Sequence, residues 1–278
     1  DRVSDKVIWE TTQSAEYSIN YLYSYIYDVT MSQSSAGQTE AFTDQMKYGS
    51  YNYNSMCFIP SEIAYGEATT FSAGYVDAYL GYWGTWYGAI RRINQAMSEL
   101  KQYGQMPDED KIRLEAELRF MRAFMYFDLV KRYKEVILYD EDLSKITKDR
   151  ALNTEAEGWD FIQADLEFAA ANLPDRSASN GRLNKGAAWG FLSRTMLYAK
   201  RWEVVKNAAQ EVEALGYGLE AKYADSYSKS VTAGNNEAIL QYLFDRAQGV
   251  THSFDFYYTP GGDYTLKGES GGGYGTPT

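Results

Sequence analysis

The chain has few of the residues that metal sites and nucleophilic catalysis require. Its 278 residues contain one histidine, His252, and one cysteine, Cys57. One histidine excludes the two-histidine zinc motifs, and one cysteine excludes an internal disulfide. The glycine run after Ser270 matches neither a Walker loop nor a GxGxxG fingerprint before a helix. We therefore expect no metal, no cofactor and no catalytic residue.

Long apolar runs and positive charge are also scarce. No apolar run approaches the length that crosses a bilayer, and the sequence starts at Asp1 without a signal peptide. Attachment to a membrane would therefore need a lipid anchor that this sequence does not contain. Lys and Arg number 27 against 38 Asp and Glu, a net charge of -11. This acidity excludes a nucleic-acid partner, which needs a clustered basic surface.

Aromatic residues are abundant, at 16% of the chain with 26 tyrosines. Tyrosine packs through its ring and hydrogen-bonds through its hydroxyl, which suits a surface that binds sugar. Residues 43–82 mix tyrosine with asparagine and aspartate, so they are the candidate binding segment. An alternative is that several of these tyrosines only fix a long loop to the helices. The candidate ligand contacts are Asp44, Tyr65, Tyr75, Tyr79 and Tyr82.

Hydrophobic spacing near 3.6 residues predicts helices along most of the chain. They cover residues 14–27, about 77–101, 108–133, 155–172, 184–199 and 202–214. Ser14 is the predicted N-cap of the first helix. Residues 31–75 show no sustained period and predict a long ordered loop, a kind of segment that is often functional. Ala238–Phe244 predicts a buried strand or an extended segment.

A weak internal repeat indicates how these helices pair. Residues 116–136 resemble residues 187–205 in their small and aromatic positions, as in tetratricopeptide repeats. We therefore predict an all-α fold, a tetratricopeptide-like helical repeat scaffold with long aromatic-rich loops. We expect residues 1–278 to form a single, truncated domain. Its scaffold covers approximately 14–216 with the loop insertion 31–75, and 217–278 begin an irregular carboxy-terminal region.

Acidic residues gather at the start of the helix after Pro107. Their favourable interaction with the helix dipole and with water is the preferred interpretation, over the paired carboxylates of a glycosidase. They are Asp108, Glu109, Asp110, Glu115 and Glu117.

Three motifs resemble the signatures of the SusD/RagB family. The first is Trp83-x-x-x-Tyr87-x-x-Ile90-x-x-x-Asn94. The second starts at Glu115 and includes Glu117, Arg119, Phe120, Arg122, Tyr126 and Phe127. The third is Gly181-Arg182-x-Asn184-Lys185-Gly186-Ala187-Ala188, followed by Leu192-Ser193-Arg194. The resemblance runs in order from the first residues to the last and indicates the amino-terminal half of such a protein.

This resemblance implies a fold of tetratricopeptide-like helical pairs that supports irregular loops. It also implies a lipoprotein on the outer face of the outer membrane of Bacteroidetes-type bacteria. Members capture an oligosaccharide or polysaccharide, or in some cases a peptide, and close over a SusC-like TonB-dependent transporter. The family's ligand residues vary with the ligand, and the second half of the family's length is missing here. The resemblance assigns scaffold roles to Trp83, Tyr87, Glu117, Arg119, Arg122 and Tyr126.

Two other functions remain open from the residues themselves. One is a helical-repeat scaffold that binds peptide or protein, and the other is an all-helical carbohydrate-active enzyme. We expect a glycan-binding protein without catalysis, because the candidate segment is rich in tyrosine and asparagine rather than in apolar pockets.

Overall fold

The computed structural model describes residues 5–31, 46–48, 81–147, 149–176, 181–228, 234–244, 246–249 and 275–277. The chain forms two compact units. The first contains Asp1–Ile26 and Trp83–Gln241, and the second contains Tyr27–Tyr82 and Tyr242–Thr278. In the described ranges, no helix combines the length and hydrophobicity that a membrane span requires.

The chain begins with three short helices, α1 (Asp5–Ile8), α2 (Thr12–Asn20) and α3 (Tyr23–Met31). The prediction of one helix over 14–27 is wrong, because the chain turns at Tyr21 and Leu22. The predicted cap is also wrong: Thr11 caps α2 by accepting a bond from the Ser14 amide at 3.2 Å. The Ser14 hydroxyl instead donates to the Ile8 carbonyl at 2.7 Å and ties α2 to α1.

The centre of the first unit is formed by α4 (Trp83–Tyr103) and α5 (Asp108–Tyr133). The helix predicted from about residue 77 begins at Trp83; residues 77–80 lie outside the described ranges. The bounds predicted for α5 are confirmed. Residues 120–130 are buried on every side, as a helix that is apolar nearly all round must be.

The next three helices are α6 (Glu155–Asn172), α7 (Lys185–Tyr198) and α8 (Trp202–Ala214), close to the predicted bounds. Each packs against the preceding helix, from α4 and α5 through to α7 and α8. A Cβ on Gly158 of α6 would lie only 2.8 Å from Val130 Cγ2 of α5, so glycine permits this close crossing. The predicted all-α helical repeat fold is confirmed.

The hydroxyls of two tyrosines hold the segment that follows α5. The Tyr87 hydroxyl accepts from the Ile137 amide at 2.7 Å and donates to the Ile137 carbonyl at 3.0 Å. The Tyr126 hydroxyl accepts from the Tyr139 amide at 2.7 Å. Buried backbone amides and carbonyls need hydrogen-bond partners. The two tyrosine hydroxyls supply the partners that a neighbouring strand would otherwise provide. Both tyrosines therefore belong to the scaffold.

A carboxylate predicted to face water is buried. Glu117 is 1% exposed. It accepts bonds from Arg113 at 2.8 Å, from Arg182 at 2.6 Å and from the Tyr23 hydroxyl at 2.7 Å. The expectation that Glu117 is solvated is wrong, because α5 turns this position toward α3 and the start of the segment before α7. The resemblance assigned it correctly to the scaffold.

A second buried ion pair joins α4, α5 and α6. Arg122 donates to both carboxylate oxygens of Asp165 at 2.8 Å and to Asn94 Oδ1 at 2.8 Å. Glu141 accepts a further bond at 3.1 Å. The surrounding carboxylates raise the pKa of Arg122 despite its burial. The pair therefore fixes how the three helices meet, and removing either partner would leave a buried charge without its counter-ion.

The remaining elements are short. Helix α9 (Tyr223–Ser228) follows Gly216, whose φ of 85° ends α8 in the conformation that glycine favours. Two 3₁₀ turns cover Leu143–Lys145 and Arg246–Gln248. The sequence predicts residues 238–244 as a buried strand or an extended segment. They have no ladder partner in the described residues, and Leu240, Tyr242 and Leu243 are exposed, so a buried strand is wrong. Ile239 packs against Gly190 of α7.

In the second unit, β1 (Met46–Tyr48) pairs antiparallel with β2 (Gly275–Pro277). Lys47 lies opposite Thr276 in this register. The ring of Tyr27 lies 4.9 Å from that of Tyr242 and 6.1 Å from that of Phe244. These contacts join segments more than two hundred residues apart in sequence, so the second unit combines two distant stretches of the chain.

Candidate functional site

The structure describes one of the five predicted ligand contacts. Tyr82 is half-buried and lies directly before α4. The other four predicted contacts, Asp44, Tyr65, Tyr75 and Tyr79, lie outside the described residues. The predicted loop insertion 31–75 is likewise described only at Met31 and in β1.

A groove between α2 and α4 is a concave site in the described part of the chain. Its volume is about 470 Å³, within the range of about 300–1,000 Å³ typical of small-molecule sites. Trp9, which precedes α2, contacts α4 through Glu99 and accepts a bond from the Gln105 amide just beyond α4, and the groove lies beside this contact. The groove is lined by Trp9, Ser18, Tyr21, Gly88, Arg91, Arg92, Gln95, Ala96 and Glu99.

One wall of the groove carries a hydrogen-bonded carboxylate. Glu99 accepts a bond from the Trp9 indole at 3.2 Å through one oxygen and from the Gln95 amide at 2.8 Å through the other. Trp9 is 1% exposed, so its ring supports the wall from behind. Tyr21, at 49% exposed, is the aromatic ring that a ligand could reach.

The opposite charge in the groove comes from two adjacent arginines of α4. Arg91 and Arg92 are both exposed. Neither has an ion pair or hydrogen bond to any residue that the structure describes. The groove therefore combines two available guanidinium groups, one carboxylate, an amide and an aromatic ring, which suits a small polar ligand.

The side chains of the described ranges form no arrangement that resembles a catalytic site. The most buried carboxylates, Glu117, Asp165 and Asp128, each pair with cations of the scaffold. No group of three or more His, Cys, Asp and Glu in these ranges could hold a metal ion.

Sequence reasoning missed the groove. Gly88, Arg91, Arg92 and Gln95 fall on the polar face of a predicted helix, which is a visible signal. Their meeting with Tyr21 depends on the fold, which brings this residue beside α4 from about 70 positions away in the sequence. Periodicity shows that a face is polar and does not show which element lies beside it.

The fold defines a class, a helical-repeat scaffold, which here carries a polar groove with an aromatic ring at its edge. A family model described as "Starch-binding associating with outer membrane" matches residues 1–197. The chain therefore belongs to this SusD-like family. This confirms the resemblance seen in the sequence.

Two curated relatives agree with this assignment. A SusD-like protein of Bacteroides ovatus is 27% identical over 216 residues, covering 68% of this chain and 39% of the relative. SusD-like protein P2 of Formosa agariphila is 28% identical over 166 residues, covering 57% and 32%. The chain thus spans well under half the length of these relatives.

Solved structures show the same fold. A SusD-like protein of Bacteroides fragilis has 28% identity and a TM-score of 0.68, over 86% of this chain and 46% of that one. A SusD-like carbohydrate-binding protein of the same species has 24% identity and a TM-score of 0.72, over 97% and 52%. A laminarin-binding SusD-like protein has 21% identity and a TM-score of 0.68, over 87% and 53%.

Proposed function

We propose that the chain is part of a cell-surface protein that captures an oligosaccharide and delivers it to a SusC-like TonB-dependent outer-membrane transporter. The observation that carries this proposal is the family match over residues 1–197, whose description joins starch binding to the outer membrane. A lipid anchor would hold the protein on the extracellular face. The protein acts by binding, without catalysis.

The proposed contacts of the captured glycan are Asp44, Tyr65, Tyr75, Tyr79 and Tyr82. A sugar ring packs its C–H face on an aromatic ring, and its hydroxyls bond to carboxylates and phenols. Tyrosine supplies both at small entropic cost because its side chain has few torsions. Each contact is weak. Tethering beside a transporter raises the effective concentration of the captured glycan and compensates for this weakness.

Native affinity electrophoresis against starch and laminarin tests this function. We expect at least one polysaccharide to retard the intact chain, and we expect Tyr65→Ala, Tyr75→Ala or Tyr79→Ala to reduce the retardation. Tyr17→Ala is the matched control, since Tyr17 is a 68% exposed tyrosine of the helical unit outside the candidate segment. The length of the glycan should be unchanged after incubation.

Two results would contradict the proposal. Absence of retardation by any polysaccharide would favour a peptide-binding scaffold. Shortening of the glycan that one carboxylate substitution abolishes would establish an enzyme.

A further inference from the structure

The groove between α2 and α4 differs in charge from the rest of this acidic chain. Its lining carries two arginines and one glutamate, whereas the whole chain has a net charge of -11. Most arginines of the first unit are bound to carboxylates within the fold. These paired arginines are Arg113, Arg119, Arg122, Arg132, Arg182 and Arg201. Arg91 and Arg92 have no such carboxylate partner among the described residues, a property that they share with the exposed Arg194 of α7.

The glutamate of the groove forms no ion pair with either arginine, so the lining keeps a net charge of one positive unit from Arg91, Arg92 and Glu99. Both Glu99 oxygens are bound, one by the Trp9 indole and one by the Gln95 amide. These bonds hold the carboxylate in place along the wall. Since neither arginine is bonded to a described residue, the guanidinium groups of Arg91 and Arg92 remain available to bind an anionic ligand.

A glycine keeps the space beside the arginines open. Gly88 lies inside α4, where glycine is a poorer helix former than alanine. A Cβ at this position would meet no atom within 4 Å, so helix packing does not require the glycine. Gly88 precedes Arg91 and Arg92 by three and four residues, which places it on their face of the helix. The open space belongs to the groove.

We propose that this groove is a second saccharide site, which holds the acidic group of a uronate- or sulfate-bearing sugar. A guanidinium group matches a carboxylate or a sulfate with two parallel hydrogen bonds, and two adjacent arginines strengthen that preference. The half-exposed ring of Tyr21 receives the face of the sugar. The choice of a sugar as the carrier of the acidic group rests on the proposed function.

Calorimetric titration of the intact chain at low salt tests the site with four probes. Trigalacturonate carries carboxylates, a sulfated carrageenan oligosaccharide carries sulfates, maltotriose is neutral, and sodium sulfate is an anion without a sugar. We expect one acidic sugar to bind more tightly than maltotriose. Raising NaCl to 0.5 M should weaken its binding, because salt screens exposed charges.

Two pairs of variants locate the site. Replacing both Arg91→Gln and Arg92→Gln should weaken binding of the acidic sugar about tenfold or more, since each charge-assisted bond contributes on that scale. Arg194→Gln is the control, because Arg194 is exposed on α7 and lies outside the groove. Gly88→Leu should block the groove. Gly84→Leu adds the same side chain to α4 outside it, where a Cβ also meets nothing within 4 Å.

Each outcome decides between alternatives. Equal losses in Arg194→Gln and in the double variant, or unchanged binding in Gly88→Leu, would overturn the inference. Sodium sulfate binding as tightly as the acidic sugars would reduce the groove to a simple anion site. If polysaccharides without charge bind and acidic sugars do not, this inference alone fails. If no saccharide of either kind binds, the proposed function fails with it.

Discussion

Glu117 is a buried carboxylate at which three partners from separate parts of the first unit meet. Glu117→Gln leaves the guanidinium groups of Arg113 and Arg182 without their shared carboxylate, while the shape of the side chain is kept. Losing one partner of a buried ion pair costs about 3–5 kcal/mol. Arg113 and Arg182 keep 20% and 18% of their side chains exposed, so water recovers part of this cost. We expect a loss near the low end, about 3 kcal/mol, measured by urea unfolding.

Glu115 provides the matched control on the same helix. It binds Arg119 one turn away, and its side chain is 35% exposed. Exposed pairs of this kind contribute at most about 0.5 kcal/mol. Equal losses in Glu115→Gln and Glu117→Gln would show that the three-way contact of Glu117 is not a stabilising centre.

Residue-scale chemistry was only partly predictable from the sequence. The scaffold roles of Arg122 and Tyr126 followed from the family resemblance, because both residues stand in its most specific motif. The availability of Arg91 and Arg92 could not be predicted. Whether an arginine is paired depends on carboxylates that the fold brings from other helices, as Asp165 reaches Arg122 from α6.

Helix packing rests on where small residues stand, and two glycines test this with the same substitution. Gly158→Ala would place a Cβ 2.8 Å from Val130 Cγ2, so we expect a loss of stability of about 1–3 kcal/mol from overpacking. Gly88→Ala meets open space and should stabilise α4 by about 0.5–1 kcal/mol, because alanine is the better helix former. Thermal unfolding measures both. Stabilisation by Gly158→Ala would contradict the close crossing of α5 and α6.

At this scale the sequence was most informative where the periodic pattern was long. Helices α5, α6 and α8 begin and end close to the predicted residues, because capping and turn residues mark their ends. Thr154 caps α6 with the reciprocal Glu157 contact of a capping box. The break at Tyr21 was missed because the apolar stripe continues across it. The strand predicted over 238–244 failed because an apolar run does not reveal whether its neighbour is a strand or a helix.

At the scale of the whole molecule, the ionisation of buried tyrosine hydroxyls makes the stability of the fold depend on pH in the alkaline range. Burial raises the pKa of Tyr87 to about 12. Burial, together with the charge of Glu117, raises the pKa of Tyr23 well above its usual value. Burial also raises the pKa of Tyr126. An unfolded tyrosine ionises near pH 10, so the unfolded chain loses these protons first as the pH rises.

The buried tyrosines therefore make the folded chain less stable as the pH rises. Groups whose pKa is higher in the folded state contribute stability that is complete below about pH 10 and is lost as pH rises toward their folded pKa. We therefore expect the melting temperature to fall from pH 10 to 12, measured by circular dichroism. Tyr87→Phe removes one of these phenols and its bonds to Ile137, so this variant should be less stable at pH 8. Its melting temperature should nevertheless fall less steeply between pH 10 and 12. Tyr17→Phe, at a 68% exposed position, should fall like the unaltered chain. Parallel falls in all three proteins would show that buried tyrosines do not set the alkaline limit, and that general repulsion among the chain's excess negative charges does.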